Sequence, residues 1–131
     1  MVDNVEENGL EDDKNEIKDL KSVFTTNFPG ILSECNISLA VSTYQAGKLV
    51  LLRNDNGTIN THFRNFNRPM GVAVKPNRIS IGCHDTVCSY QNIPAIIDKL
   101  EESEKYDVCY VPRHVQMTGA IDIHEMAWGK N

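Results

Sequence analysis

From Ile37 onward the apolar residues stop recurring every three to four positions and begin to alternate, and this change of period constrains the fold more than any other feature of the chain. Ile37, Leu39 and Val41 alternate with Ser38, Ala40 and Ser42, so one set of side chains faces a core and the other faces water. Gln45-Ala46-Gly47-Lys48 turns the chain, and Leu49 to Arg53 is an apolar run of strand length. Asn54-Asp55-Asn56-Gly57 follows with the Asn-Gly pair that supplies positive φ in hairpins, and Thr58 to Phe63 returns as a third strand. The arrangement then starts again with Met70 to Lys75, a turn at Pro76-Asn77-Arg78, Ile79 to Cys83, a turn at His84-Asp85, and Thr86 to Gln91. Val108 to Val111 and Ala120 to Trp128 resume the strand pattern.

Helical spacing is confined to two places. Ile17, Leu20 and Phe24 fall three and four apart within Glu16 to Phe24, which predicts a short helix ended by Phe28-Pro29-Gly30, with a further helical turn through Ile31 and Leu32 leading into the first strand. Asn92-Ile93-Pro94 reads as a second helix start, because proline suits the first helical turn, and Ile93, Ile96, Ile97 and Leu100 keep helical spacing. That helix is expected as an insertion between sheets.

The triplets Leu39-Ala40-Val41, Val72-Ala73-Val74 and Met126-Ala127-Trp128 share an apolar-Ala-apolar core, at spacings of 33 and 54 residues. These bracket the roughly 40 to 45 residues of a four-stranded propeller blade if one loop is short and the helix is inserted in the other. The expected fold is mainly β: a partial β-propeller of about two blades plus the first strand of a third, with short helices at the N-terminus and as an insertion. A β-sandwich satisfies the same strand spacing. Residues 17–131 are then the N-terminal part of a propeller-like domain. A sequence that stops at Gly129-Lys130-Asn131, where a turn begins, reads as truncated, and the isolated chain is expected to self-associate through open sheet edges.

Charge and composition exclude several classes. The net charge of −5 is concentrated in residues 1–16, where seven acids face Lys14 alone; the remainder is near neutral, at +1. Those first residues carry too little apolar surface to offset the entropy of ordering and are expected to form a disordered acidic tail. A near-neutral body lacks the basic footprint that phosphate neutralisation requires, so no nucleic-acid partner is expected. No apolar run spans a membrane and no export signal is present, so the expected location is cytoplasmic, with no membrane partner. Cys35, Cys83, Cys88 and Cys109 are accordingly read as reduced, and no cofactor is expected.

The strings Ser42-Thr43-Tyr44-Gln45-Ala46-Gly47-Lys48-Leu49, Arg68-Pro69-Met70-Gly71 and His124-Glu125-Met126-Ala127-Trp128-Gly129 resemble the opening of a family of uncharacterised, mainly bacterial, conserved hypothetical proteins, over residues 28 to 129. The resemblance implies a propeller-like fold in a longer polypeptide, sometimes fused to tetratricopeptide repeats. It implies no activity.

Familiar motifs fail on inspection. Gly47-Lys48 lacks the upstream glycine of a phosphate-binding loop and has Leu49 where a hydroxyl binds magnesium. His124-Glu125 lacks the second histidine of a zinc-protease helix, since position 128 is Trp128. Cys83-His84 with Cys88 does not have knuckle spacing and fits buried thiols better, so no metal is assigned. Asp122 and His124 are two apart on an expected strand, which puts a carboxylate and an imidazole on one face; the plain alternative is a structural histidine beside a turn. Tyr44, Gln45, Lys48 and Arg68 combine aromatic, amide and cationic groups at expected strand ends, where they serve either a ligand or turn packing. Trp128 reads as a packing anchor. The expected function is a non-enzymatic ligand-binding or protein-interaction module; the alternative is part of a propeller enzyme using Asp122 and His124 as acid and base.

Overall fold

The computed structural model describes residues 22–130. The acidic segment 1–16 and most of the expected Glu16–Phe24 helix lie outside the described residues, and positions 22–24 of that helix are not helical. Helix α1, Phe28–Cys35, begins where a helix break was expected. Pro29 lies in its first turn, where the missing N–H is no loss because the first helical amides have no intrahelical acceptor. Asn36 closes the helix in the left-handed region at φ 50, with Ile37 N donating to Leu32 O at 3.0 Å and Asn36 N to Ser33 O at 3.0 Å. Leu32 and Pro29 are buried by the neighbouring sheet.

Two antiparallel sheets follow. Sheet A is β1 (Leu39–Thr43), β2 (Lys48–Asp55) and β3 (Thr58–Asn65), in that order. Its β2–β3 hairpin turns on Asn56 at φ 51 and Gly57 at φ 84, the two positive φ values that the Asn-Gly pair predicts. Sheet B is β4 (Val72–Lys75), β5 (Arg78–Gly82), β6 (Thr86–Asn92) and β7 (Tyr110–Met117), again an up-and-down meander. The sheets pack together where Leu49, Ile81 and Cys83 are buried among Phe66, Val72 and Tyr90. Phe66 and Tyr90 meet edge to face, with centroids 6.3 Å apart.

Three sequence expectations are corrected. The segment after Asn92 forms two 3₁₀ pieces, Pro94–Lys99 and Ser103–Lys105, and it joins two strands of one sheet, not two sheets. Its closing bonds run three residues back, Ile96 N to Ile93 O and Leu100 N to Ile97 O, the pattern of the tighter 3₁₀ helix, which is used in short pieces of this kind. β7 continues through Pro112 and adds a fourth strand to sheet B; the missing N–H is tolerated because β7 is an edge strand and the register shifts there. Residues 120–128 form no strand. Gly119 at φ 78 and Asp122 at φ 47 interrupt the extended backbone, and the segment lies as a strap on the face of sheet B opposite the core. Of the three apolar-Ala-apolar triplets, two therefore open the two sheets and the third is in the strap.

The strap fits because sheet B is cut away beneath it. A methyl group on Gly82 would lie 2.4 Å from Ile123 Cγ2 and 2.6 Å from Met126 Sδ, and one on Gly71 would lie 2.9 Å from Met126 Cγ. Gly71 N donates to Ile123 O at 3.1 Å, so the strap is bonded as well as packed. Gly82→Ala is expected to destabilise the protein by about 1–3 kcal/mol through overpacking. Gly30→Ala, in the exposed first turn of α1 with nothing within 4 Å, is expected to stabilise by about 0.5 kcal/mol. Denaturant melts of both variants check the pair, and equal shifts would show that the strap is not seated on Gly82.

Candidate functional site

One end of the two sheets gathers four pieces of chain: the β1–β2 turn, the β3–β4 connection, the β5–β6 turn and the start of the strap. Backbone hydrogen bonds fix them to one another. Phe66 N donates to Gly47 O at 2.9 Å and His84 N to Asn67 O at 3.0 Å, which ties the first three together. The His84 carbonyl then accepts from Ile121 N at 3.0 Å and Asp122 N at 2.9 Å, while Ile123 N donates to Cys83 O at 3.2 Å. Ser42 Oγ adds a bond of 2.7 Å to Met70 O.

This frame brings His84 and Asp122 together, with Nδ1 and Oδ1 2.7 Å apart and both side chains partly exposed. The hydrogen bond from His84 holds the Asp122 carboxyl below the usual carboxylate range, and the positive charges of Arg68 and His124 act in the same direction. The Arg68 guanidinium stands over the Tyr44 ring at 5.7 Å from its centroid. Asp122 is thus partnered by His84 and not, as the same-face spacing suggested, by His124, because the segment is not a strand and its backbone turns at Asp122. His124 is exposed nearby.

The remaining expected site residues divide. Gln45 is exposed in the β1–β2 turn. Lys48 Nζ donates to Asn65 Oδ1 at 2.7 Å across the β2–β3 ladder, which is sheet-surface chemistry. In the sequence His84 enters only as a possible metal ligand with Cys83 and Cys88, a set that its spacing rejects; nothing there points to Asp122, 38 residues away. Beside it, burial and then the neighbouring Cys88 push the Cys83 thiol up to about 11, so it stays protonated and unreactive. All four cysteines are unpaired. Among the described residues no three His, Cys, Asp or Glu side chains are grouped to hold a metal ion.

Two side chains of the cluster stand on left-handed backbone. Arg68 has φ 50 although it is neither Gly nor Asn, and it directly precedes Pro69, a position that sterically favours extended backbone. Asp122, at φ 47, is the second non-glycine of the cluster in this region. Such conformations cost on the order of 1–3 kcal/mol each and persist where the surroundings over-determine them.

The fold and site together define a mainly β protein of two packed antiparallel sheets with a strained, partly exposed ionic cluster at one end. The chain belongs to the family of the domain of unknown function DUF4915, which matches residues 26–131. No curated protein and no solved structure matches it. No described helix is long and apolar enough to cross a membrane.

Two outcomes follow from the cluster. Arg68→Gly is expected to be more stable than Arg68→Ala by about 1 kcal/mol, since both lose the guanidinium but only glycine accepts φ 50 freely; equal melts would show that the strain is absent. Because the folded Asp122 carboxyl is depressed, its stabilisation is full above the ordinary range near pH ~4 and is lost as pH falls through the lowered value. Asp122→Asn, which keeps a residue tolerant of the left-handed backbone, is expected to melt below wild type near neutrality and to converge with it in acid. Parallel melting curves would contradict this.

Proposed function

We propose that this chain is a non-enzymatic ligand-binding or protein-interaction module of propeller type, acting in the cytosol, and that its binding site is the cluster of Tyr44, Arg68, His84, Asp122 and His124. The observation that carries the reading is Arg68: an exposed cation held at φ 50 before a proline, over an aromatic ring, serves packing poorly and recognition well. Asp122 and His84 supply an acceptor and a ring nitrogen beside it, so the site offers both signs of charge within one small area. The propeller reading is supported by two successive antiparallel meanders packed against each other, the second with the four strands of a blade. Unpaired thiols support a reducing compartment. Exposed Val41, Leu51, Val115 and Met117 on the sheets support a protein partner or self-association.

A second reading rests on the His84–Asp122 pair. A carboxylate that fixes one imidazole nitrogen leaves the other oriented to exchange a proton, which is the arrangement of a general base. It replaces the Asp122–His124 pair as the acid/base group of an enzyme.

Chemical-shift mapping with a library of small polar fragments tests the proposal. Binding fragments are expected to move the amides of Gly47, Arg68, His84 and Asp122 together, and Arg68→Gly is expected to abolish those shifts while the fold is retained. If hits map elsewhere on the sheets, the cluster is not the site. His84→Gln separates the two readings: a binding module keeps its affinity for fragments held by Arg68, whereas a proton-transfer site loses turnover of any fragment it converts.

A further inference from the structure

The opposite end of sheet B carries a second feature, independent of the cluster above. The strap runs from Asp122 across Gly82 and Gly71 and brings Trp128 to rest beside Lys75, whose Nζ is 4.0 Å from the centre of the indole. Between Trp128 and strands β5 to β7 lies an open groove of about 380 Å³, lined by Arg78, Gln91, Arg113 and His114 with Ser89 and Tyr90 at its base. No carboxylate lines it, and neither Arg78 nor Arg113 forms an ion pair among the described residues.

Regular strand geometry forbids Arg113 and His114 from lining one groove, because neighbouring side chains on a strand point to opposite faces. β7 brings both to it. Ser89 pairs with His114 and Tyr90 with Pro112, so Arg113 is the extra residue of a bulge. Pro112 sits at that bulge on the edge strand, where its missing N–H is accommodated. Arg78 reaches the groove from β5, opposite Gln91 of β6. The Ser80–Ser89 hydrogen bond of 2.9 Å keeps β5 and β6 in register at the base.

We infer that this groove is a binding site for a small organic oxyanion, a carboxylate or phosphate carried on a flat apolar body. The two guanidinium groups present planar forks suited to an oxyanion, and the His114 ring adds an N–H donor beside them. Gln91 supplies an amide that orients a neutral polar group. Trp128 forms the apolar wall against which the flat body lies, and its exposure is what that role requires. The volume is that of a small-molecule cleft.

Trp128 is the one tryptophan of the chain, so its fluorescence reports on the groove directly. Phenyl phosphate titrated into the whole protein is expected to change Trp128 emission saturably, with inorganic phosphate competing. Arg78→Gln and Arg113→Gln are each expected to raise the half-saturating concentration about tenfold, the loss of one charge-assisted contact. Melting curves run alongside show whether each variant folds; where one does not, the lysine variant replaces it, keeping the charge and stem but not the fork, and is expected to weaken binding several-fold. A change linear in phenyl phosphate, absence of competition by phosphate, or unchanged half-saturation in the arginine variants overturns the assignment.

Discussion

The structure depends on where a strap with no strand partner sends its amides. A buried or half-buried N–H without an acceptor is costly, so a segment that leaves the sheet ladder must find carbonyls elsewhere. Residues 118–123 find them on one turn: Thr118 N donates to Asp85 O at 2.9 Å, Ile121 and Asp122 to His84 O, and Ile123 to Cys83 O. Once those bonds are made, little freedom remains. Asp122 is carried against the His84 ring, Ile123 and Met126 are set down on Gly82 and Gly71, and Trp128 is delivered to Lys75.

The strands were legible because period-2 alternation and turn chemistry agree along this chain. Asn56-Gly57 and Pro76-Asn77 each place positive φ at a hairpin, with Asn77 at φ 64, and the strands they join fall within a residue or two of where alternation puts them. Several of the failures share a cause, a local signal overruled by a partner distant in sequence. Pro29 reads as a breaker until it lies in the first turn of a helix whose Leu32 is buried by sheet A. Ile123 and Met126 read as part of a strand until Gly71 and Gly82 of sheet B offer them a shallow bed. Pro112 reads as the end of β7 until the strand proves to be an edge with a bulge.

The candidate site was half legible for the same reason. Tyr44, Arg68, Asp122 and His124 announced themselves by residue type at expected strand ends, and the fold does bring them to one area. Their mutual geometry was not readable: the choice of His84 over His124 as the partner of Asp122 is made by a carbonyl that turns the backbone at position 122, and no spacing rule contains that. The strain at Arg68 is likewise invisible in sequence, where Arg-Pro reads as ordinary extended chain. The groove at the far end was hidden by the bulge, because strict alternation assigns Arg113 and His114 to opposite faces.

The concentration of the strap's bonds on residues 83–85 has a consequence for how this molecule breathes. In a sheet, each strand is held along its length and opens gradually from its ends. Residues 118–123 place four amide bonds on one turn, so opening of that turn breaks all four and leaves the Gly71–Ile123 bond and the packing on Gly71 and Gly82 to hold the strap. Local openings of this kind occur at lower free energy than global unfolding and define separate cooperative units within a native protein. The same turn begins at Cys83, which is buried with Leu49 and Ile81, so the strap's anchor is tied directly to the core between the sheets. The turn at residues 83–85 thus serves two parts of the molecule at once: it joins β5 to β6, and it holds the first half of the strap, which carries Asp122 to His84.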